Sequence, residues 1–300
     1  MRPGVSKIVF LALPYLWLLG FFLMPLLIVA RLSLSQPVLA QPPFAPVFAW
    51  GEGWSAFAAH LGEFSPDAFL GVLQDGLYLE ALATSLRLAA LSGLLTLGIA
   101  WPIALALARA PEHRRNALVL LAIAPFWTSF LIRIYAWIAI LKDEGLLNHF
   151  LMVTGIIAHP FAIFASETAV VIGIVYSYLP FMILPLVNAL AGQDPALAEA
   201  AHDLGASRSA AFWTVTFPLT WPGMRAGLLL VFIPAMGEVV IPDLLGGSDT
   251  LMIGRSLWND FFANRDWPAA SAAAILLLAV LAAPIMLFQR AQNPAQGTLR

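Results

Sequence analysis

The chain has no cysteine, only two lysines (Lys7 and Lys142), and formal charge on 11% of its 300 residues. Without cysteine, disulfide frameworks, zinc–cysteine sites and thiol nucleophiles are excluded. Neither lysine lies in a Gly-x-x-x-x-Gly-Lys-Ser/Thr setting, so the chain has no phosphate-binding loop with which to hydrolyse ATP itself. The five histidines (His60, His113, His149, His159, His202) never fall at metal-ligand spacing, and no His-Glu-x-x-His occurs, so no metal site is expected. No Gly-x-Ser-x-Gly elbow is present either, and no cluster of acids and bases can be assembled for covalent chemistry. A net charge of −2 gives no basic face for nucleic acid. Soluble domains carry about 25% charged residues, more than twice the share here, so a compact soluble enzyme is excluded.

What is abundant is apolar surface, at 61% of residues. Six windows are long and apolar enough to cross a bilayer: 8–30, 83–108, 117–141, 168–190, 224–245 and 268–288. The expected class is an all-α integral membrane protein with six transmembrane helices. The first window is too long for a signal peptide, and Val38-Leu39-Ala40 lies too far beyond it to serve as its cleavage site, so an uncleaved helix is expected. Positive charge sets the orientation. With both termini cytoplasmic, the inner segments hold nine cations and four acids, the outer ones five cations and twelve acids. The outer face, at −7, attracts cations, although acids also tolerate either side of a membrane.

The segments between spans are unequal. Residues 1–82 comprise the first helix and a long outer loop, whose run Gln41-Pro42-Pro43-Phe44-Ala45-Pro46 is expected to exclude helix and strand; Trp50 and Trp54 follow it. Residues 55–80 read as partly helical. Residues 83–290 hold the other five spans, and 291–300 form a short cytoplasmic tail. Trp267-Pro268 is expected to open the last helix.

The inner loop at 193–223 carries the most information. Asp194 can cap a helix with Pro195 in its first position, and Ala196 to Leu204 is strongly helix-forming. Gly205 can take the left-handed conformation that ends this helix. A second helix is expected to start near Ser207 and stop before Pro218. Small residues at 200, 201 and 205 let another backbone come close, as suits a docking element for a cytoplasmic partner.

Glu199-Ala200-Ala201, three residues, Gly205, nine residues, then Val215-x-Phe217-Pro218 resembles the EAA loop of ABC-importer permeases. That pattern is Glu-Ala-Ala, three residues, Gly, nine residues, Ile-x-Leu-Pro, so this chain departs only by two apolar exchanges. The resemblance implies a type I ABC-importer permease fold over 83–290, with 193–223 as the coupling loop. Glu199, Ala200, Ala201, Gly205 and Pro218 would then meet an ATPase subunit. Further segments resemble the spermidine and putrescine permeases of that family: Leu77-Tyr78-Leu79-Glu80, Ala124 to Phe130, Tyr135-Ala136-Trp137, Tyr178 to Met182, Val231 to Ala235, Leu244 to Gly247 and Asn264 to Pro268. This resemblance implies a second, homologous permease, two ATPase copies, an extracytoplasmic polyamine-binding protein and a place in the bacterial inner membrane. No cofactor is implied beyond the ATP that the partner binds.

Two ionisable residues fall inside spans, Arg133 in the third and Glu238 in the fifth. Such residues usually face a bundle interior or a watery path. Pro234, Gly237 and Pro242 interrupt the helix around Glu238 and free carbonyls there. A polyamine path needs carboxylates for charge and aromatic faces for cation–π contact. Glu238 can supply the first, and Trp127, Tyr135, Trp137, Tyr176 and Tyr178 the second. An Arg133–Glu238 ion pair that only locks helices fits the sequence as well, with the aromatics as ordinary packing. Three classes of function are open: an ABC-importer permease for polyamines or another small solute, a stand-alone secondary transporter or channel, and a membrane-embedded enzyme or scaffold. The coupling-loop pattern favours the first, because it serves no purpose without an ATPase.

Overall fold

A computed structural model describes residues 12–47, 59–60 and 62–292. Arg2, Lys7, Trp50, Trp54 and the tail from 293 lie outside the described residues. Helix α1 spans Ala12–Leu32. A two-residue antiparallel ribbon follows, β1 (Gln36–Pro37) on β2 (Phe44–Ala45), with Gln36 opposite Ala45. The sequence reading expected no strand in the proline run. The ribbon forms because each strand keeps one free edge, where a missing proline N–H leaves nothing unpaired.

Helix α2 (Asp67–Gln74) leads into α3 (Gly76–Ala108), which begins well before the expected 83 because Asp75 Oδ1 accepts the Leu77 N–H at 2.9 Å. The third span is not the straight helix expected at 117–141. Helix α4 (Glu112–Ile123) ends in a 3₁₀ turn at Ala124–Trp127, and α5 (Phe130–Leu141) with α6 (Leu146–Val153) sets off at an 80° bend. Pro125 has no N–H to continue the ladder, and its carbonyl turns instead to the Thr128 hydroxyl at 2.7 Å.

Helix α7 (Glu167–Ala191) is capped by Ser166, whose hydroxyl accepts the Ala169 N–H. Helix α8 (Pro195–Asp203) is followed by α9 (Arg208–Met236). The fifth span therefore runs over 208–236 rather than 224–245, and the short α10 (Val240–Leu245) stands apart after a break at 237–239. Helix α11 (Ile253–Trp258) precedes α12 (Trp267–Gln292), and Asp266 caps α12 by accepting the Ala269 N–H. Among the described residues, five helices are long and apolar enough to cross a membrane, or six when the bent pair counts as one.

The chain forms two compact units. One takes the described residues up to Glu80 with Ser256–Val280, around Val72, Ala272 and Ala273. The other takes Ala81–Arg255 and the described residues from Leu281. Its core packs Met182, Ile183 and Leu186 of α7 against Met224 and Val231 of α9 and Ala100 and Ala104 of α3. Close approach of α7 and α9 depends on small residues, since a Cβ on Gly227 would meet Met182 Sδ at 2.5 Å.

Candidate functional site

The loop between α7 and α9 is built almost wholly from short-range bonds. Asp194 accepts the Ala196 N–H at 3.0 Å, and Pro195 opens α8 as expected. The helix ends when the Gly205 N–H reaches His202 O at 2.8 Å and the Ala206 N–H reaches Ala201 O at 2.9 Å. This double closure requires a left-handed residue, and Gly205 has φ +85°. His202 Nδ1 donates to Ala206 O at 2.9 Å and pins the far side of the turn. Ser207 then caps α9 by accepting the Ala210 N–H.

Glu199, Ala200 and Gly205 are exposed, Ala201 is half-buried, and Leu204 at the tip is 90% exposed. The loop thus presents a short apolar and acidic ridge of about 13 Å, at ~1.5 Å per residue. The second helix does not stop before Pro218, however. A π-helical turn at Phe212–Thr216 closes through the Phe217 N–H to Phe212 O, and Pro218 follows in the first turn of a renewed α-helix. The change of hydrogen-bond pattern at the π-helical turn accommodates the N–H that Pro218 lacks.

Gln193 fixes the base of this loop. Its Nε2 donates to Thr216 O at 3.2 Å and to Thr220 Oγ1 at 2.9 Å, tying the start of α8 to α9. Sequence reasoning missed this brace, and an amide beside the Asp194 cap is too ordinary a signal to find it. A second anchor is Trp101 of α3, whose ring meets Phe212 and Phe217 at centroid distances of 6.0 and 5.3 Å.

The other polar centre is the break after α9. Helix α9 ends at Met236 with Gly237 as cap, whereas Pro234 and Pro242 lie within helices. Glu238 is only 8% exposed. Its Oε1 accepts the Val240 N–H at 3.1 Å, and its Oε2 accepts the Tyr178 hydroxyl at 2.5 Å. The carboxylate thus caps α10 and ties it to α7. Gly254 presses against the back of the break, where a Cβ would lie 2.6 Å from the carbonyls of Gly237 and Glu238.

Arg133 is not paired with Glu238. Its guanidinium stands over Phe126 at 4.8 Å and Phe130 at 5.9 Å, and Nη1 donates to Pro125 O at 3.3 Å. Tyr176 stacks on Phe126 at 5.6 Å and meets Trp137 edge-on at 5.4 Å. Tyr176 and Tyr178 are two residues apart on one helix, about 200° around it, so they serve different faces. The aromatics named from sequence therefore divide: Tyr178 joins Glu238, while Tyr176 and Trp137 join Phe126 and Arg133. Trp127, at 75% exposure, and Tyr135, at 57%, stand outside both groups.

Among the described residues, no group of three His, Asp or Glu side chains could hold a metal ion.

Residues 6–297 match the family described as "Binding-protein-dependent transport system inner membrane component". The spermidine/putrescine transport system permease protein PotB of Salmonella typhimurium (strain SL1344) is 43% identical over 221 residues, covering 74% of this chain and 77% of that one. PotB of Haemophilus influenzae is 36% identical over 282 residues, covering 94% and 92%. The molybdenum transport system permease protein ModB of Mycobacterium bovis is 31% identical over 215 residues, covering 71% and 79%. Among solved structures, a chain of the bacterial alginate ABC transporter in complex with alginate pentasaccharide-bound periplasmic protein superposes with a TM-score of 0.74 at 16% identity, covering 99% of this chain and 97% of that one. That likeness concerns the fold, the all-α multi-pass fold of a type I ABC-transporter permease. Through these matches the chain belongs to the family of binding-protein-dependent transport system inner membrane components, as a permease subunit.

Proposed function

We propose that the protein is the permease subunit of an ATP-driven importer for polyamines of the spermidine and putrescine class, in a bacterial inner membrane with both termini cytoplasmic. The observation that carries this reading is the 43% identity to PotB, well above the 31% to the molybdenum permease. The α8–Gly205 loop supports the energy source, because its exposed ridge has the form of an element that enters a cleft in another protein. Two ATPase copies, a second homologous permease and an extracytoplasmic polyamine-binding protein complete the assembly. The chain itself binds no cofactor and catalyses no covalent step; ATP is bound and hydrolysed by the ATPase. Closure of the ATPase dimer pushes the ridge of Glu199, Ala200, Ala201 and Leu204, and α9 carries this motion toward the break at 237–239.

In this mechanism Glu238 is the acid that meets an ammonium group, in competition with the Tyr178 hydroxyl. Tyr176 with Trp137, and Arg133 through Phe126, form a separate aromatic group, and Trp127 and Tyr135 are exposed. The test is reconstitution of the four-component complex in liposomes and measurement of ATP-dependent accumulation of spermidine, putrescine and molybdate. Accumulation of a polyamine alone is expected. Accumulation of molybdate alone, or of polyamine without ATP, overturns the reading.

A further inference from the structure

Within the first compact unit, β1–β2 and the turn before α12 border an open surface cavity of about 540 Å³, lined by Pro37, Leu39, Pro43, Asn264, Arg265 and Asp266 among others. Its walls are fixed. Trp267 stacks on Phe261 at 5.0 Å, meets Phe44 at 5.8 Å, and donates from Nε1 to Phe261 O at 3.1 Å. The acids nearby are already engaged: Asp260 accepts from the Tyr78 hydroxyl and the Asn264 amide, and Asp266 accepts the Ala269 N–H.

Arg265 is different. It has φ +56°, a backbone state ordinarily left to Gly or Asn. Two bonds impose it from either side, Asn264 N to Asn259 O at 2.9 Å and Asp266 N to Asp260 O at 2.8 Å. Its side chain is exposed at the cavity and forms no ion pair or hydrogen bond among the described residues. A strained non-glycine residue with an uncommitted guanidinium points to a partner that supplies an anion. Leu39, fully exposed on the opposite wall, supplies an apolar contact beside it.

With six spans, the segments after the first and fifth lie on the membrane side opposite the coupling loop, which follows the fourth. We propose that this cavity is a docking point for the extracytoplasmic binding protein, through an acidic side chain that enters beside Leu39 and pairs with Arg265; this rests on the importer reading above. The charge pattern favours that partner. The outer segments hold twelve acids and five cations, so an approaching carboxylate is repelled over most of that face and accepted at Arg265, whose charge, unlike those of Arg87 and Arg255, is not already paired with an acid among the described residues. Such a contact fixes register and discriminates between partners.

The test uses the complete complex in nanodiscs, titrated with its binding protein. Arg265→Gly removes the guanidinium and relaxes the backbone, so loss of fold does not explain its effect; Arg265→Glu reverses the charge. The concentration of binding protein giving half-maximal ATPase stimulation is expected to rise roughly tenfold in Arg265→Gly and further in Arg265→Glu, with unchanged basal ATPase and a smaller difference at high salt. A photocrosslinker in place of Leu39 is expected to capture the binding protein. Unchanged half-maximal concentrations in both variants, or capture of lipid or of the second permease alone, overturn the docking site while leaving the importer reading intact. Failure of the unsubstituted complex to respond to any polyamine-binding protein overturns the importer reading itself, and this inference with it.

Discussion

The loop between α7 and α9 and the break around Glu238 are both interruptions of a long apolar helix pattern, yet they are held in opposite ways. In the loop, the bonds that shape the turn close within five residues: Asp194 to Ala196, Ala201 to Ala206, His202 to Ala206, Ser207 to Ala210. At the break, Glu238 reaches Tyr178 across 60 residues. The start of α11 behind it is held by the Ile253 N–H donating to Ser85 Oγ across 168. The loop can therefore keep its shape while exposed to a partner. The break exists only as long as α7, α9, α10 and α11 are packed together, which suits an element that changes when the packing changes.

The sharpest way to break this contrast is Gly205→Val. Nothing lies within 4 Å of a Cβ built there, so the whole penalty is the left-handed φ, ~1–2 kcal/mol, and greater for a β-branched side chain. Polyamine uptake is expected to fall at least tenfold while membrane insertion survives, and Gly205→Asn should retain most of the uptake. Substrate-stimulated ATPase activity measured alongside distinguishes uncoupling from loss of assembly.

At the break, Glu238→Gln keeps an acceptor for the Val240 N–H but removes the charge. Uptake of the more highly charged polyamine should drop several-fold with assembly intact. Glu238→Gln and Tyr178→Phe should be non-additive in thermal stability by roughly 1–3 kcal/mol, as expected for direct partners. Arg133→Met, whose guanidinium touches neither residue, should add to Glu238→Gln within about 0.5 kcal/mol and should not rescue it. A rescue would restore the ion pair as the explanation of both residues.

Smaller effects follow from the supports. Gln193→Ala removes two hydrogen bonds at the loop base, about 1–2 kcal/mol in total, and should weaken ATPase stimulation a few-fold without abolishing it. Arg133→Leu should cost about 1 kcal/mol in stability, the worth of a cation–π contact at a half-buried site.

The loop was legible in the sequence because its signals are local: a capping Asp, a first-turn Pro, a run of helix formers, a Gly where φ turns positive. Its continuation past Pro218 was not, since a π-helical turn leaves no compositional mark. The bend at Thr128–Ser129 was missed for a related reason. Pro125 is one of many prolines in apolar runs, and Pro102 inside α3 shows that others are absorbed. Glu238 was found as a buried acid, but its partner was not, because nothing within 168–190 marks Tyr178 rather than Tyr176 as facing α9. The ribbon at 36–45 was overlooked for its prolines, though two-residue strands ask little of the N–H groups that prolines lack.

The most direct test of the central claim, that the exposed loop is where an ATPase subunit engages, exploits the absence of cysteine. Leu204→Cys places one thiol at the tip of the loop, and its maleimide labelling rate can be compared in membranes with and without the co-expressed ATPase. Fast labelling without the ATPase and strong protection with it is the expected result. Equal rates in the two membranes, in a complex shown to be assembled, would contradict it.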